Sequence, residues 1–231
     1  MRRNKVVGVR DLLLERFGRL KIAAEGDAAG ELVKTILSQN TSDITSLRAF
    51  GNLKRRFRSW EGLRKAPLPA IKREIRIAGL SNIKAPRIKG ALNEIKKRTN
   101  SLSLEFLKDR GLDEGYRFLR SIQGVGPKTA AVVLLFSFGK PIMPVDTHIF
   151  RIMKRLGFIS PGATREKAQE YLTSESPAHA IKEFHLHLIM LGRQVCTARE
   201  PKCPACNLKK MCKYYGDRNG RQGVKDRKKR I

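Results

Sequence analysis

Residues Ser121 to Phe150 read S-I-Q-G-V-G-P-K-T-A-A-V-V-L-L-F-S-F-G-K-P-I-M-P-V-D-T-H-I-F. Gly124 and Gly126 stand two apart, and glycine reaches backbone conformations closed to other residues, so the pair predicts a tight hairpin. Pro127 follows at once. Proline suits the first helical position, where its missing N–H leaves no bond unmade. The pattern therefore predicts a helix over 127–138 with Gly139 as its stop. Upstream, Leu112, Tyr116, Leu119 and Ile122 recur at intervals of four, three and three, one face of a preceding helix. The stretch reads helix, hairpin, helix.

That geometry has a use. The amides of Gly124, Val125 and Gly126 and those of the first helical residues, as far as Thr129, point outward together. The positive end of the helix dipole adds to them and makes an anion site. A nucleic-acid phosphate is a natural occupant. The plain alternative is a helix turn with no ligand, because Gly-X-Gly turns are common.

The charge favours the first reading. The chain has 231 residues, 49 Lys and Arg against 21 Asp and Glu, and a net charge of +28. That excess predicts a polyanionic partner, nucleic acid before a membrane surface. Few aromatic residues argue against a broad base-stacking platform for single strands. No apolar run is long enough to span a membrane, and the basic start Met1–Arg10 has no apolar segment behind it, so no secretory signal is expected. The expectation is a monomer, cytoplasmic and nucleoid-associated if the source is prokaryotic.

Outward from the central stretch the chain reads as helices. Leu12, Leu13, Leu14 and Phe17 mark one near the start. Leu32, Val33, Ile36 and Leu37 share a helical face. Leu37-Ser38-Gln39-Asn40-Thr41-Ser42-Asp43 is a polar boundary, with Ser42 or Asp43 able to cap the next helix. Ala66-Pro67-Leu68-Pro69 and Gly79-Leu80-Ser81-Asn82 read as turns. A helix after Asn82 turns Ala85, Ile88, Leu92 and Ile95 inward and carries Lys84, Arg87, Lys89, Lys96 and Lys97, read mostly as a solvated face. Residues 100–111 read as another short helix, 149–156 as one stopped by Gly157, and 177–192 as one more. No period-two strand pattern and no repeat is found, so the fold is expected to be all-α.

All four cysteines lie together as C-x6-C-x2-C-x5-C: Cys196, Cys203, Cys206 and Cys212. In a chain otherwise free of cysteine, this reads as a metal site before a disulfide pair. Zinc prefers two close pairs, while a cubane cluster accepts wider spacing, so spacing places iron–sulfur only modestly ahead of zinc. The loop between the first two ligands holds Arg199 and Lys202, placed to meet a phosphate backbone. Beyond Cys212 the chain becomes a basic, glycine-bearing tail, read as flexible.

Three motifs in order, G-V-G-P-K-T-A, V-D-T-H-I-F-R and the four-cysteine run, resemble the endonuclease III family of helix-hairpin-helix DNA glycosylases over nearly the whole chain. The resemblance implies two helical domains. One is a six-helix barrel, placed at 28–140. The other is built from 1–27 and 141–231 and holds a 4Fe–4S cluster, with reactive residues in the groove between them. It implies Lys128 as nucleophile, Asp146 as catalytic carboxylate, the four cysteines as cluster ligands, and duplex DNA with a damaged base or abasic site as partner. The family often reads L-S-A-Q-A-T-D where this chain has L-S-Q-N-T-S-D, so Asn40 falls where a glutamine fills the flipped-base gap. Asn82 and Ile83 fall where another wedge residue would come. Pro127 replaces a residue that is often basic, and His148 either helps hold DNA or caps a helix. His185 and His187 are expected to be structural.

The chemistry asks for these residue types. A base inside a duplex must be flipped out before its glycosidic bond is reached. An amine can attack C1′, expel the base and form an imine. The imine acidifies the C2′ proton, and the 3′ phosphate then leaves by β-elimination. A carboxylate can take up the amine's proton and stabilise the cationic sugar. Lysine must lose its proton first, which the positive end of a helix favours. The expectation is a bifunctional glycosylase and abasic-site lyase, with oxidised pyrimidines as first substrates. The alternatives are a monofunctional mismatch glycosylase of the same fold, a non-catalytic hairpin DNA-binding protein, and, more weakly, a cluster-based redox sensor.

Overall fold

The computed structural model describes residues 4–22 and 26–218, and the regular elements among them are all helical. In chain order the helices are α1 (Lys5–Phe17), α2 (Ala28–Ser38), α3 (Asp43–Phe57), α4 (Trp60–Lys65), α5 (Leu68–Ile75), α6 (Ser81–Thr99), α7 (Leu112–Arg120), α8 (Pro127–Phe138), α9 (Thr147–Leu156), α10 (Arg165–Glu175) and α11 (Ile181–Gln194). Residues 213–218 are also helical, while 219–231 of the tail read as flexible lie outside the described residues. No described helix is long and apolar enough to cross a membrane.

The chain divides into two compact units, Ala24–Lys140 and the flanking stretches Met1–Ala23 with Pro141–Ile231. In the central unit α8 buries residues on every side, Ala130, Ala131, Val132, Val133, Leu134 and Leu135 among them. A helix apolar around its circumference belongs inside a core. It packs on α2 and α7, and α2 packs in turn on α3 and α6. Among the described residues this unit holds seven α-helices, α2 to α8, and two 3-10 turns, Arg76–Ala78 and Glu105–Lys108.

In the flanking unit α11 packs on α9 and α1. Asn4 caps α1, and its amide donates to the Glu175 backbone carbonyl at 3.1 Å and to Glu175 Oε2 at 2.6 Å. Asn207 Nδ2 donates to Leu12 O. These bonds tie the first helix to late segments of the chain.

Two local expectations change. Residues 100–111 hold only a 3-10 turn at Glu105–Lys108. Before it, the Ser101 amide donates to Thr99 Oγ1, the Ser103 amide to Ser101 Oγ and the Glu105 amide to Ser103 Oγ. Hydroxyls that satisfy amides locally compete with a helix. Leu68 and Pro69, read as part of a turn, open α5 instead, because the first helical turn needs no proline N–H.

Candidate active site

The hairpin forms as its glycines require. Gly124 has φ +85°, a conformation that strains any side chain. The Val125 amide donates to Ile122 O at 3.0 Å, and Arg120 Nη1 donates to Val125 O at 3.2 Å. No side chain caps the N-terminus of α8. Lys128 is the second residue of that helix and is half-buried. Val125 and Thr129 have buried side chains, so any part they play at the surface is played by backbone.

A second segment of the same unit is joined to this turn through α6. Arg87 lies against the hairpin: a Cβ built on Gly124 would sit 3.2 Å from Arg87 Cγ. Arg87 Nη1 donates to Gln39 Oε1 at 3.1 Å, and Gln39 Nε2 lies 3.5 Å from Thr129 Oγ1. Asn40, next in the chain, is exposed with φ +52°. Ser42 caps α3 through the Thr45 amide.

One turn before Arg87, Lys84 overturns the solvated-face reading. It is 1% exposed. Its ammonium donates to Leu37 O at 2.7 Å, to Ala78 O at 2.9 Å and to Thr41 Oγ1. Burial pushes its pKa down from the usual lysine range. Asn82 and Ile83 lie in the first turn of α6 and are exposed. Leu80, just before that helix, is left-handed with φ +50° and 49% exposed.

In the flanking unit Asp146 is the N-cap of α9, its Oδ1 accepting from the Ile149 amide at 2.8 Å. His148 packs on Gly192, where an added Cβ would meet His148 Cβ at 2.6 Å. Arg151 Nη2 donates to His148 Nδ1 at 3.1 Å, which leaves the ring proton of a neutral imidazole on Nε2. Two arginines of α9 hold the start of the cysteine segment. Arg151 donates to Cys196 O, and Arg155 Nη1 donates to Cys196 Sγ at 3.2 Å and to Thr197 O at 2.7 Å. Arg199 and Lys202 are exposed on the loop that follows.

The four cysteines line one small cavity of about 20 Å³ with Arg155, Val195, Pro201, Lys209, Tyr214 and Tyr215. Burial is the main cause that raises the Cys206 and Cys212 thiols, and the neighbouring cysteines add to it. Among the described residues no three side chains are already set as a metal site. The donor set nonetheless fits an iron–sulfur group: four thiols around one apolar pocket, with an arginine N–H on one sulfur, the kind of hydrogen bond that tunes such centres.

Residues 33–177 match the family model of the HhH-GPD superfamily of base excision DNA repair proteins. Endonuclease III of Sulfolobus acidocaldarius is 35% identical over 188 residues, 80% of this chain and 82% of that one. The chain belongs to the endonuclease III family. Endonuclease III of Escherichia coli K12 is 33% identical over 79% of this chain and 82% of its own. Among solved structures, a trapped endonuclease III–DNA covalent intermediate aligns with a TM-score of 0.80 at 25% identity, covering 94% of this chain and 99% of that one. The protein is thus a base excision repair DNA glycosylase of the HhH-GPD superfamily.

For an endonuclease III family member, the matched segment holds the hairpin, Lys128, Asp146, His148 and the Asn40 loop, while the cysteines lie beyond it. Leu80, in the stretch read as a turn, is exposed beside Asn82 and Ile83, where the family resemblance places a wedge residue. Lys84, read with the solvated charges of α6, stands four residues before Ile88 and eleven before Ile95, on the buried stripe of that helix. That phase is the signal in the sequence, set against the rarity of buried lysine.

Proposed function

We propose that this glycosylase is bifunctional. It removes a damaged base, an oxidised pyrimidine first of all, and then cleaves the strand 3′ to the abasic site. The observation that carries this reading is the position of Lys128, half-buried as the second residue of α8, directly behind the hairpin. A monofunctional member needs no amine there.

Lys128 Nζ, as the neutral amine, attacks C1′; the C1′–N bond breaks and the base leaves with the electron pair. Asp146 takes up the proton that the amine loses and stabilises positive charge on the sugar. That proton passes to O4′ as the C1′–O4′ bond breaks, and the nitrogen lone pair forms a protonated imine at C1′ of the opened sugar. Loss of the C2′ proton then moves an electron pair into the C1′–C2′–C3′ system, and the C3′–O bond breaks. The hairpin backbone around Gly124 and Gly126 holds a phosphate, and His148, Arg199 and Lys202 add contacts to duplex DNA. Asn40 enters the space that the flipped base vacates, with exposed Leu80, Asn82 and Ile83 beside the α6 start able to wedge into the stack.

Cys196, Cys203, Cys206 and Cys212 would hold a 4Fe–4S cluster. When bound, that group supplies a cross-link between its ligands and a one-electron redox centre. Arg151 and Arg155 fix the start of the cysteine segment against α9.

Borohydride with an abasic-site duplex tests the reading. The wild-type protein is expected to give a covalent protein–DNA adduct that maps to Lys128. Lys128→Ala is expected to lose the adduct and keep DNA binding. Base release by Lys128→Ala at the wild-type rate would make water the nucleophile and the enzyme monofunctional. Neither adduct nor base release by the wild-type protein on any lesion would leave DNA binding alone.

A further inference from the structure

Lys84 is a charged side chain inside a core, and the three groups that hold it are all neutral. A buried charge is costly, and apolar side chains of similar volume often replace one at no loss of stability. What the ammonium supplies is direction. Its three N–H donors meet three acceptors, Leu37 O, Thr41 Oγ1 and Ala78 O. Thr41 Oγ1 itself donates to Ala78 O at 2.6 Å, so two of the three acceptors are joined to each other as well.

These acceptors sit at the bases of two projecting segments. Leu37 and Thr41 bracket Ser38, Gln39 and Asn40. Ala78 leads into Gly79 and Leu80. Among the described residues four non-glycine residues have positive φ: Asn40, Arg58, Leu80 and Asn100. Arg58 and Asn100 are the C-caps of α3 and α6, where a left-handed residue is ordinary. Asn40 and Leu80 end no helix in that way. Each is exposed, each has a left-handed backbone, costly for branched Leu80 and tolerated by Asn40, and each lies within two residues of a group bonded to Lys84. One tip offers a side-chain amide and the other a branched apolar group.

Opening a base pair leaves two different vacancies to satisfy. The partner base loses its hydrogen bonds, which an amide can replace. The stack loses contact area, which an apolar wedge can replace. Both groups must enter one gap, so the spacing between the two tips has to be fixed before DNA arrives.

We propose that Lys84 is a positioning residue that sets the spacing of Asn40 and Leu80, so that the two tips probe the same opened base pair as a unit. The proposal rests on the reading of the protein as a glycosylase that opens duplex DNA, and its test does not require turnover.

The probe is a duplex with a stable abasic-site analogue opposite 2-aminopurine, whose fluorescence rises on unstacking. Binding of wild-type protein is expected to raise the signal, and Asn40→Ala and Leu80→Ala are each expected to reduce its amplitude and the affinity. In a Lys84→Met background, which thermal melting checks for folding, the same substitutions are expected to add little. The coupling in affinity should be at least about threefold, within the range for residues acting as a unit. Thr41→Val, which removes one acceptor and keeps both carbonyls, should show a smaller coupling of the same sign, and it decides the matter if Lys84→Met does not fold. Fully additive effects in every folded background would overturn the proposal, as would wild-type binding with no change in fluorescence. Coupling in a protein that shows neither base release nor a borohydride adduct would uphold the positioning role and overturn the catalytic reading alone.

Discussion

Asp146 Oδ1 accepts the amide N–H of Ile149 at 2.8 Å, so the carboxylate assigned to chemistry is also the N-cap of α9. The two roles separate by substitution. Asparagine caps about as well as aspartate, whereas alanine loses the cap at about 1 kcal/mol. Asp146→Asn is therefore expected to melt close to wild type and to slow base release by about 10²–10⁴-fold, the range for a lost acid–base group. Asp146→Ala is expected to lose a similar rate factor and to melt lower as well. Wild-type single-turnover rates in a well-folded Asp146→Asn protein would confine this residue to capping.

The cysteine cavity gives a compositional prediction. Protein purified anaerobically under iron-replete conditions is expected to carry about four iron and about four inorganic sulfide per chain. Arg155→Gln removes the charged N–H donor to Cys196 Sγ and is expected to shift the reduction potential downward, because a hydrogen bond to sulfur stabilises the more negative, reduced state. Stoichiometric zinc without sulfide would replace the iron–sulfur assignment.

His187 gives the flanking unit an acid sensitivity. Its ring is buried, Nε2 lies 3.0 Å from Gly18 O, and Nδ1 is buried with no hydrogen-bond partner among the described residues. Burial lowers its pKa below the ordinary histidine value, the Gly18 hydrogen bond and Glu183 raise it, and Arg19 lowers it further. The folded chain thus binds this proton less readily than the unfolded chain. The stability that neutral His187 contributes is present above the ordinary histidine pKa and is lost as pH falls through that value and then the folded one. The melting temperature is expected to drop between about pH 7 and about pH 5, and His187→Leu is expected to flatten part of that drop. An unchanged slope would place the acid sensitivity elsewhere.

The sequence by itself determined what local rules decide. Two glycines followed by proline dictate the hairpin and the start of α8, because backbone freedom and a fixed φ act within a few residues. Aspartate before Thr147 dictates the cap of α9 for the same reason, and the cysteine spacing gathers four thiols around one cavity. The serine-rich stretch 100–111 misled because side-chain hydroxyls competed for its amides. Only the tertiary structure decided Lys84, Arg87 and Leu80. Lys84 is buried because carbonyls from α2 and from the turn before α6 converge on one point. Arg87 is a bridge because Gln39 and Gly124 approach it from distant parts of the chain. Asn40 and Leu80 stand on left-handed backbone near the acceptors that Lys84 holds. A lysine's place in or out of a core depends on acceptors that the chain brings together only when it folds.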